Sequence, residues 1–445
     1  MLLSNKRIVS GIGWTTVTYV TALAFRFLSS VVLSRLLAPN IIGMMVVVSV
    51  FRTGMELLSD VGLGQNIVQN KNGRRPSFYN TAWVLQIIRG VIISSLLFAF
   101  SVELSKYYDV GSDVVKISAI ALVISGFQST SLYLLQKNIK VVQLTLFDLS
   151  MEVMTGTIAV IAAFISPTIN SLIIASVIST VIRTLCSYLL PDARQSFVLY
   201  WRHAREILSF GKWIFLSSLL MFISSSFDKL YLGQVAPLAL LGIYSIARTI
   251  ADLPGALVLR LSYSLVFPVV ASASSMPREE VRAKLSRLRR MLLFGAAFAL
   301  AGAISVSDIA IRLVYDSRYQ DAAWMLPLLL AGVWITIIAS LNESTLLGLG
   351  RPVYAIVGST LKLIVLFCLV PFAFEYYGMP GAVIGIAVAD LARIPPLLFG
   401  QVRECFSFVR QDIVTTLLLV VLTVLFSLVR RSLGFGTMLD TLPLG

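Results

Sequence analysis

The chain alternates thirteen apolar stretches with short polar breaks, at residues 12–37, 41–64, 77–104, 112–136, 141–166, 168–190, 206–233, 236–272, 290–315, 321–348, 352–374, 379–402 and 412–429. A helix needs roughly 20 residues to cross the hydrocarbon of a bilayer, so the pattern predicts an all-α polytopic membrane protein. The stretch 236–272 is too long for one straight crossing, and Pro254 and Pro268 are where it is expected to kink. Two polar segments exceed an ordinary turn. Asp192 to Arg205 divides the chain, giving an N-lobe at 1–190, a linker at 191–205, a C-lobe at 206–402, and a last helix with a short tail at 403–445. Ser275 to Arg290 reads as an amphipathic helix lying on the membrane surface. Ser275 caps it, Pro277 starts it, and Val281, Leu285 and Leu288 share one face.

The two lobes echo each other. Trp14 is followed 29 residues later by Gly43, and Trp213 by Gly242 at the same spacing, with an Ala-Pro ahead of each glycine (Ala38-Pro39, Ala236-Pro237). Arg52, Thr53 and Glu56 then match Arg248, Thr249 and Asp252. The reading is a duplication that yields two pseudo-symmetric six-helix lobes around a central cavity plus about one extra C-terminal helix, an architecture common among transporters.

Composition narrows the function. At 57% hydrophobic, 13% charged and a mean hydropathy of +0.88, the chain has no room for a sizeable soluble catalytic domain. The net charge of +14 would suggest nucleic acid in a soluble protein. Here most of it sits in alternate loops: Lys6 and Arg7, Lys71 to Arg75, Lys137 and Lys140, Arg194 to Arg205, Arg278 to Arg290, Arg351, and Arg403 with Arg410. Loops 166–170, 233–237 and 375–380 carry no Lys or Arg. The positive-inside rule then places the N-terminus in the cytoplasm, and no nucleic-acid partner is expected. Arg430 and Arg431 oppose the outward C-terminus that an odd helix count demands. Lys6 and Arg7 lead into a full-length apolar stretch, so no cleaved signal peptide is expected. Three scattered cysteines and the single His203 suggest no disulfide framework, metal or cofactor. No phosphate-binding Gly-x-x-x-x-Gly-Lys-Ser/Thr run occurs, which argues against direct use of ATP.

Charges within apolar stretches are costly and normally face a bundle interior or a wet cavity. Basic positions at depth are Arg26, Arg52, Arg89, Arg183, Arg248, Arg260, Lys362 and Arg393. Acidic ones are Glu56, Asp60, Asp148, Glu152, Asp228, Asp252, Glu343 and Asp390, a near balance that suggests internal pairing. Arg52 with Glu56 and Arg248 with Asp252 are i, i+4 neighbours. Arg26 and Arg89 have no acid on their own helix. Arg26 shares a stripe with Thr15, Thr18, Ala22 and Ser29, and Arg89 shares a face with Gln86, as a hydrated cavity wall would; for both, a structural ion pair with Asp148 or Glu152 of the fifth helix is the alternative. Guanidinium groups fork onto phosphate, so converging arginines favour an anionic headgroup, with pyrophosphate the best match. Asn342 and Ser344 suit either sugar hydroxyls or helix packing. Asp148 and Glu152 suit either ion coupling or structural pairing.

The segments Leu33-Ser34-Arg35-Leu36-Leu37-Ala38-Pro39, Leu58-Ser59-Asp60-Val61-Gly62-Leu63-Gly64-Gln65, Phe210-Gly211-Lys212-Trp213 and Asp228-Lys229-Leu230-Tyr231-Leu232-Gly233 carry a family likeness. Through them the chain resembles the oligosaccharide flippases, in the polysaccharide transporter branch of the multidrug/oligosaccharidyl-lipid/polysaccharide (MOP) exporter superfamily. The resemblance implies alternating access in the bacterial inner membrane and an undecaprenyl-pyrophosphate-linked oligosaccharide as cargo. Membrane lipids and polysaccharide polymerase machinery are the implied partners, and enzyme activity is not implied. By position Arg26, Arg52, Arg89 and Arg248 correspond to cavity-lining arginines. Many relatives have fourteen helices, whereas 433–444 is too short and broken to span. Two other functions compete. A cation-coupled drug exporter of the same fold would centre on carboxylates such as Asp148, Glu152 or Asp228. An integral-membrane polysaccharide enzyme would need a large extramembrane loop, which this chain lacks.

Overall fold

A computed structural model describes residues 5–59, 62–191, 194–262, 266, 269–270 and 278–436. Asp60, Asp192, Pro268, Ser275, Pro277 and the end of the tail lie outside the described residues. The described elements are helical: α1 (Asn5–Leu36), α2 (Pro39–Leu58), α3 (Leu63–Gln69), α4 (Pro76–Ala99), α5 (Ser101–Tyr108), α6 (Ser112–Gly126), α7 (Ser131–Lys137), α8 (Val141–Ile165), α9 (Ile169–Ser187), α10 (Trp201–Val235) and α11 (Leu238–Leu261). They continue with α12 (Arg278–Val314), α13 (Ala322–Gly348), α14 (Val353–Val388), α15 (Ile394–Arg403) and α16 (Val409–Ser432). Single 3-10 turns occupy Ser317–Tyr319 and Ala389–Arg393. Among the described residues nine helical segments are long and apolar enough to cross a membrane, or ten if α6 and α7, bent by 53°, form one span. The chain divides into two compact units, Met1–Gly242 and Ile243–Gly445.

Prolines and small polar side chains set the boundaries. Pro39 and Pro76 occupy the first turns of α2 and α4, where a missing N–H costs nothing. Thr168 caps α9 by accepting from the Ser171 N–H at 3.3 Å. Two of the apolar stretches, 352–374 and 379–402, meet at Gly378, whose φ of 60° and ψ of −146° suit only glycine; this residue breaks α14 internally. In the polar turn after α12, the Asp316 carboxylate accepts from both the side chain and the backbone N–H of Arg318 at 2.9 Å, which holds it below the usual carboxylate range.

In unit 1, α8 packs against α1 and α9, α6 against α4 and α9, and α10 against α2. The first turn of α11 lies on α2 at the repeated glycines. A Cβ on Gly43 would sit 1.8 Å from the Leu238 carbonyl oxygen, and one on Gly242 would sit 2.1 Å from that of Pro39. The two Ala-Pro…Gly motifs therefore touch each other backbone to backbone. The linker is also ordered: Asn80 donates to Ser196 Oγ at 2.7 Å, and the Tyr200 N–H donates to Thr81 Oγ1 at 3.1 Å. Lys137, read as a loop charge, caps α3 by donating to the Ile67, Val68 and Asn70 carbonyls at 2.9, 2.9 and 2.6 Å.

In unit 2, α13 is the most buried helix and packs against α12 and α14, while α16 packs on α12. Leu417, Val420, Val421, Val424 and Leu428 of α16 are exposed, the apolar outer face expected of a lipid-facing helix. The surface-helix expectation for 275–290 is corrected. Its described part is the first third of the continuous α12, and Val281 and Leu285 are buried. Arg289 explains why. It is fully buried, pairs with Asp412 at 2.7 Å and stacks 4.6 Å from the Phe408 ring. At the far end of the same helices Arg430 forks onto Asp308 at 2.6 and 2.7 Å, so Arg430 is a buried structural charge and carries no topology signal.

Candidate functional site

The sequence-predicted arginines divide between two settings. Arg26 of α1 donates to Glu152 of α8 at 2.9 Å, the ion-pair alternative raised for it. Arg248 lies in unit 2 and pairs with Asp252 at 3.2 Å, matched in unit 1 by the looser pair of Arg52 with Glu56 at 4.0 Å. Both i, i+4 pairs expected from the repeat therefore form.

Arg52 and Arg89 do come together. They line one cavity of about 350 Å³ inside unit 1, bounded by α2, α4, α6, α7 and α9. Arg183 of α9 is the third guanidinium in its wall, and among the described residues Glu56 is the only carboxylate there. The remaining polar lining comes from Gln86, Ser125, Gln128, Tyr133 and Thr180. Arg89 is aimed by its neighbours: Nε donates to Ser59 Oγ at 2.9 Å and Nη2 to the Glu56 carbonyl at 2.6 Å. Arg183 is held from behind by Asp148 at 2.7 Å, its guanidinium 5.5 Å from the Phe147 ring. Of the two coupling-carboxylate candidates, Asp148 thus orients a cavity arginine and Glu152 pairs with Arg26.

The floor is the break between α6 and α7, where helix carbonyls lose their partners. Gln86 Nε2 donates to the carbonyls of Gly126 and Gln128 at 3.0 Å and of Ser125 at 3.3 Å. Trp83 Nε1 and the Tyr188 hydroxyl both donate to the Phe127 carbonyl. These bonds satisfy the carbonyls freed at the break.

Arg183 was visible among the charges at depth but not singled out. The same stripe criterion applied to α1 would have found it, since Ser176, Thr180 and Arg183 recur at helical spacing on α9. Asn342 and Ser344 are fully buried inside unit 2. Asn342 donates to Asp412 at 3.1 Å and accepts from Gln401 at 2.9 Å, so the sugar-contact expectation is not carried further for these residues.

Fold and composition together define a polytopic helical membrane protein. The structure superposes on one described as the lipid II flippase MurJ in an inward closed conformation, with a TM-score of 0.70 and 14% identity over 94% of this chain and 99% of that one. It also superposes on an inward-facing multidrug resistance MATE family transporter of the MOP superfamily, with a TM-score of 0.69 and 14% identity over 86% of this chain and 94% of that one.

The chain belongs to the polysaccharide biosynthesis protein family, whose model matches residues 32–324. It is 24% identical to the teichuronic acid biosynthesis protein TuaB of Bacillus subtilis over 351 residues, 78% of this chain and 72% of that protein. It is 20% identical to the lipopolysaccharide biosynthesis protein WzxC of Escherichia coli over 329 residues, 73% and 66% of the two chains. The resemblance drawn from the opening motifs is borne out.

Proposed function

We propose that the protein is a flippase that carries an undecaprenyl-pyrophosphate-linked oligosaccharide across the bacterial inner membrane by alternating access, feeding surface polysaccharide polymerisation. One observation carries this reading: three guanidinium groups, on Arg52, Arg89 and Arg183, face a single small cavity within an otherwise apolar helical unit. A cavity of this size fits a headgroup rather than a whole glycan. Its excess of donors selects a doubly anionic phosphate group, since a guanidinium stays charged when desolvated and forks onto phosphate. Arg26 and Arg248 are tied to carboxylates, Glu152 and Asp252, and do not enter this reading. The N-terminus lies in the cytoplasm by the loop charges.

The lining opposes the drug-exporter alternative, because among the described residues a cationic drug would meet three positive groups and one carboxylate. Each lost charge-assisted hydrogen bond to phosphate is worth about 1.5–3 kcal/mol, or roughly 10–100-fold in affinity. In a strain whose surface polymer depends on this protein, R89A and R183A are expected to abolish polymer while the protein stays in the membrane at wild-type level. Normal polymer from the R89A/R183A double variant would refute the cargo assignment. Intact polymer with raised drug sensitivity would move the protein to the exporter class.

A further inference from the structure

A second concavity lies in unit 2, between the first turns of α12 and α16. It measures about 830 Å³, and its wall grades from Arg282, Arg290 and Arg410 to Phe294 and Val414. An adjoining hollow of about 670 Å³ shares Arg290 and Phe294 and adds Lys284, Arg287 and Met291. Among the described residues no carboxylate lines either space. The walls are pinned together, since Arg282 donates to the Ser407 carbonyl at 3.1 Å and Gln411 Nε2 donates to the Ser286 carbonyl at 2.9 Å. Arg287, Arg290 and Arg410 have no hydrogen-bond or ion-pair partner among the described residues. They are exposed, as are Met291, Phe294 and Val414 just beyond them along the two helices.

An occupant must be anionic at one end and apolar at the other. We infer that this groove holds one anionic phospholipid of the surrounding bilayer, its phosphate between Arg290 and Arg410 and an acyl chain laid over Phe294 and Val414. Basic residues at the end of a membrane helix attract anionic headgroups at about 1 kcal/mol each, and here two helices hold them around one volume. The apolar end opens onto the lipid-facing side of α16, so the ligand enters from the membrane without leaving it. The inference goes beyond the flippase reading and does not depend on it, because none of these residues lines the cavity of unit 1.

The test uses purified full-length protein in detergent, titrated with phosphatidylglycerol and read by native mass spectrometry, with thermal unfolding as the check on folding. Wild type should fill one saturable phosphatidylglycerol site. R290Q/R410Q should weaken it about 30-fold, and R410Q alone about fivefold, which decides the matter if the double variant does not fold. Phosphatidylcholine should bind no better than phosphatidylglycerol binds the double variant, and glycerol phosphate should not displace the lipid. Equal phosphatidylglycerol occupancy in wild type and a folded variant would overturn the inference. So would displacement by glycerol phosphate, which marks a plain anion site, or preferential filling by undecaprenyl phosphate, which marks a cargo site.

Discussion

Replacing Asp412 with alanine is expected to destabilise the protein by about 3–5 kcal/mol, seen as a large drop in the thermal unfolding midpoint in detergent and loss of folded protein from the membrane. Arg289 is fully buried, its partner Asp412 is 9% exposed at the side chain, and their contact is 2.7 Å. Among the described residues Nε and Nη1 of Arg289 have no hydrogen-bond partner, so removing the acid strands a buried cation against the Phe408 ring. Asn342 loses its acceptor as well, and Gln401 behind it loses its anchor. D412N keeps the shape and removes only the charge; it should recover little. The apolar pair R289M/D412L should recover more than half of the loss, because a buried ion pair is often matched by well-packed hydrophobic residues. An unfolding midpoint for D412A within a degree of wild type would show that Arg289 finds water in the native state.

Alanine at Gly43 or Gly242 should be nearly as damaging. The added methyl would lie 1.8 Å from a backbone oxygen in the first case and 2.1 Å in the second, so the α2 and α11 backbones must move apart. Backbone cannot swing aside as a side chain does, and the cost should reach or exceed the roughly 1–3 kcal/mol typical of overpacking. Gly295→Ala is the control: a Cβ there meets nothing within 4 Å, and replacing a mid-helix glycine should be neutral or stabilise by up to about 1 kcal/mol. Membrane abundance and unfolding midpoints of the three variants measured side by side would settle it; wild-type behaviour of Gly43→Ala would mean the crossing is looser than the structure shows.

The helices were legible because burial in lipid demands long apolar runs, and those runs show directly in the chain. The repeat was legible through the Ala-Pro and glycine spacing, since only glycine permits the backbone contact that Gly43 and Gly242 make. Arg52 and Arg89 were legible as charges that needed a reason. Partners on distant helices were not. The pairings of Arg26 with Glu152, Arg183 with Asp148 and Arg289 with Asp412 join residues 123 or more apart in two cases and 35 in the third, and helical spacing says nothing about such pairs. The same blindness turned Arg430 into a topology signal. It also made Ser275 to Arg290 look like a free amphipathic helix, because its apolar face is the same whether it meets lipid or α16.

The two buried ion pairs between α12 and α16 have a mechanical meaning. Arg289 meets Asp412 and, 19 residues further along α12 and 18 along α16, Asp308 meets Arg430. At 1.5 Å per residue the fastenings are roughly 28 Å apart, close to the full depth of the hydrocarbon. The donor sits on α12 at one end and on α16 at the other, so sliding either helix by one turn would break both contacts. Two parallel rods riveted at both ends can neither shear nor roll against each other. The pair is thereby fastened across the bilayer, so that a displacement at the basic end of α12 is shared by α16 at the opposite end.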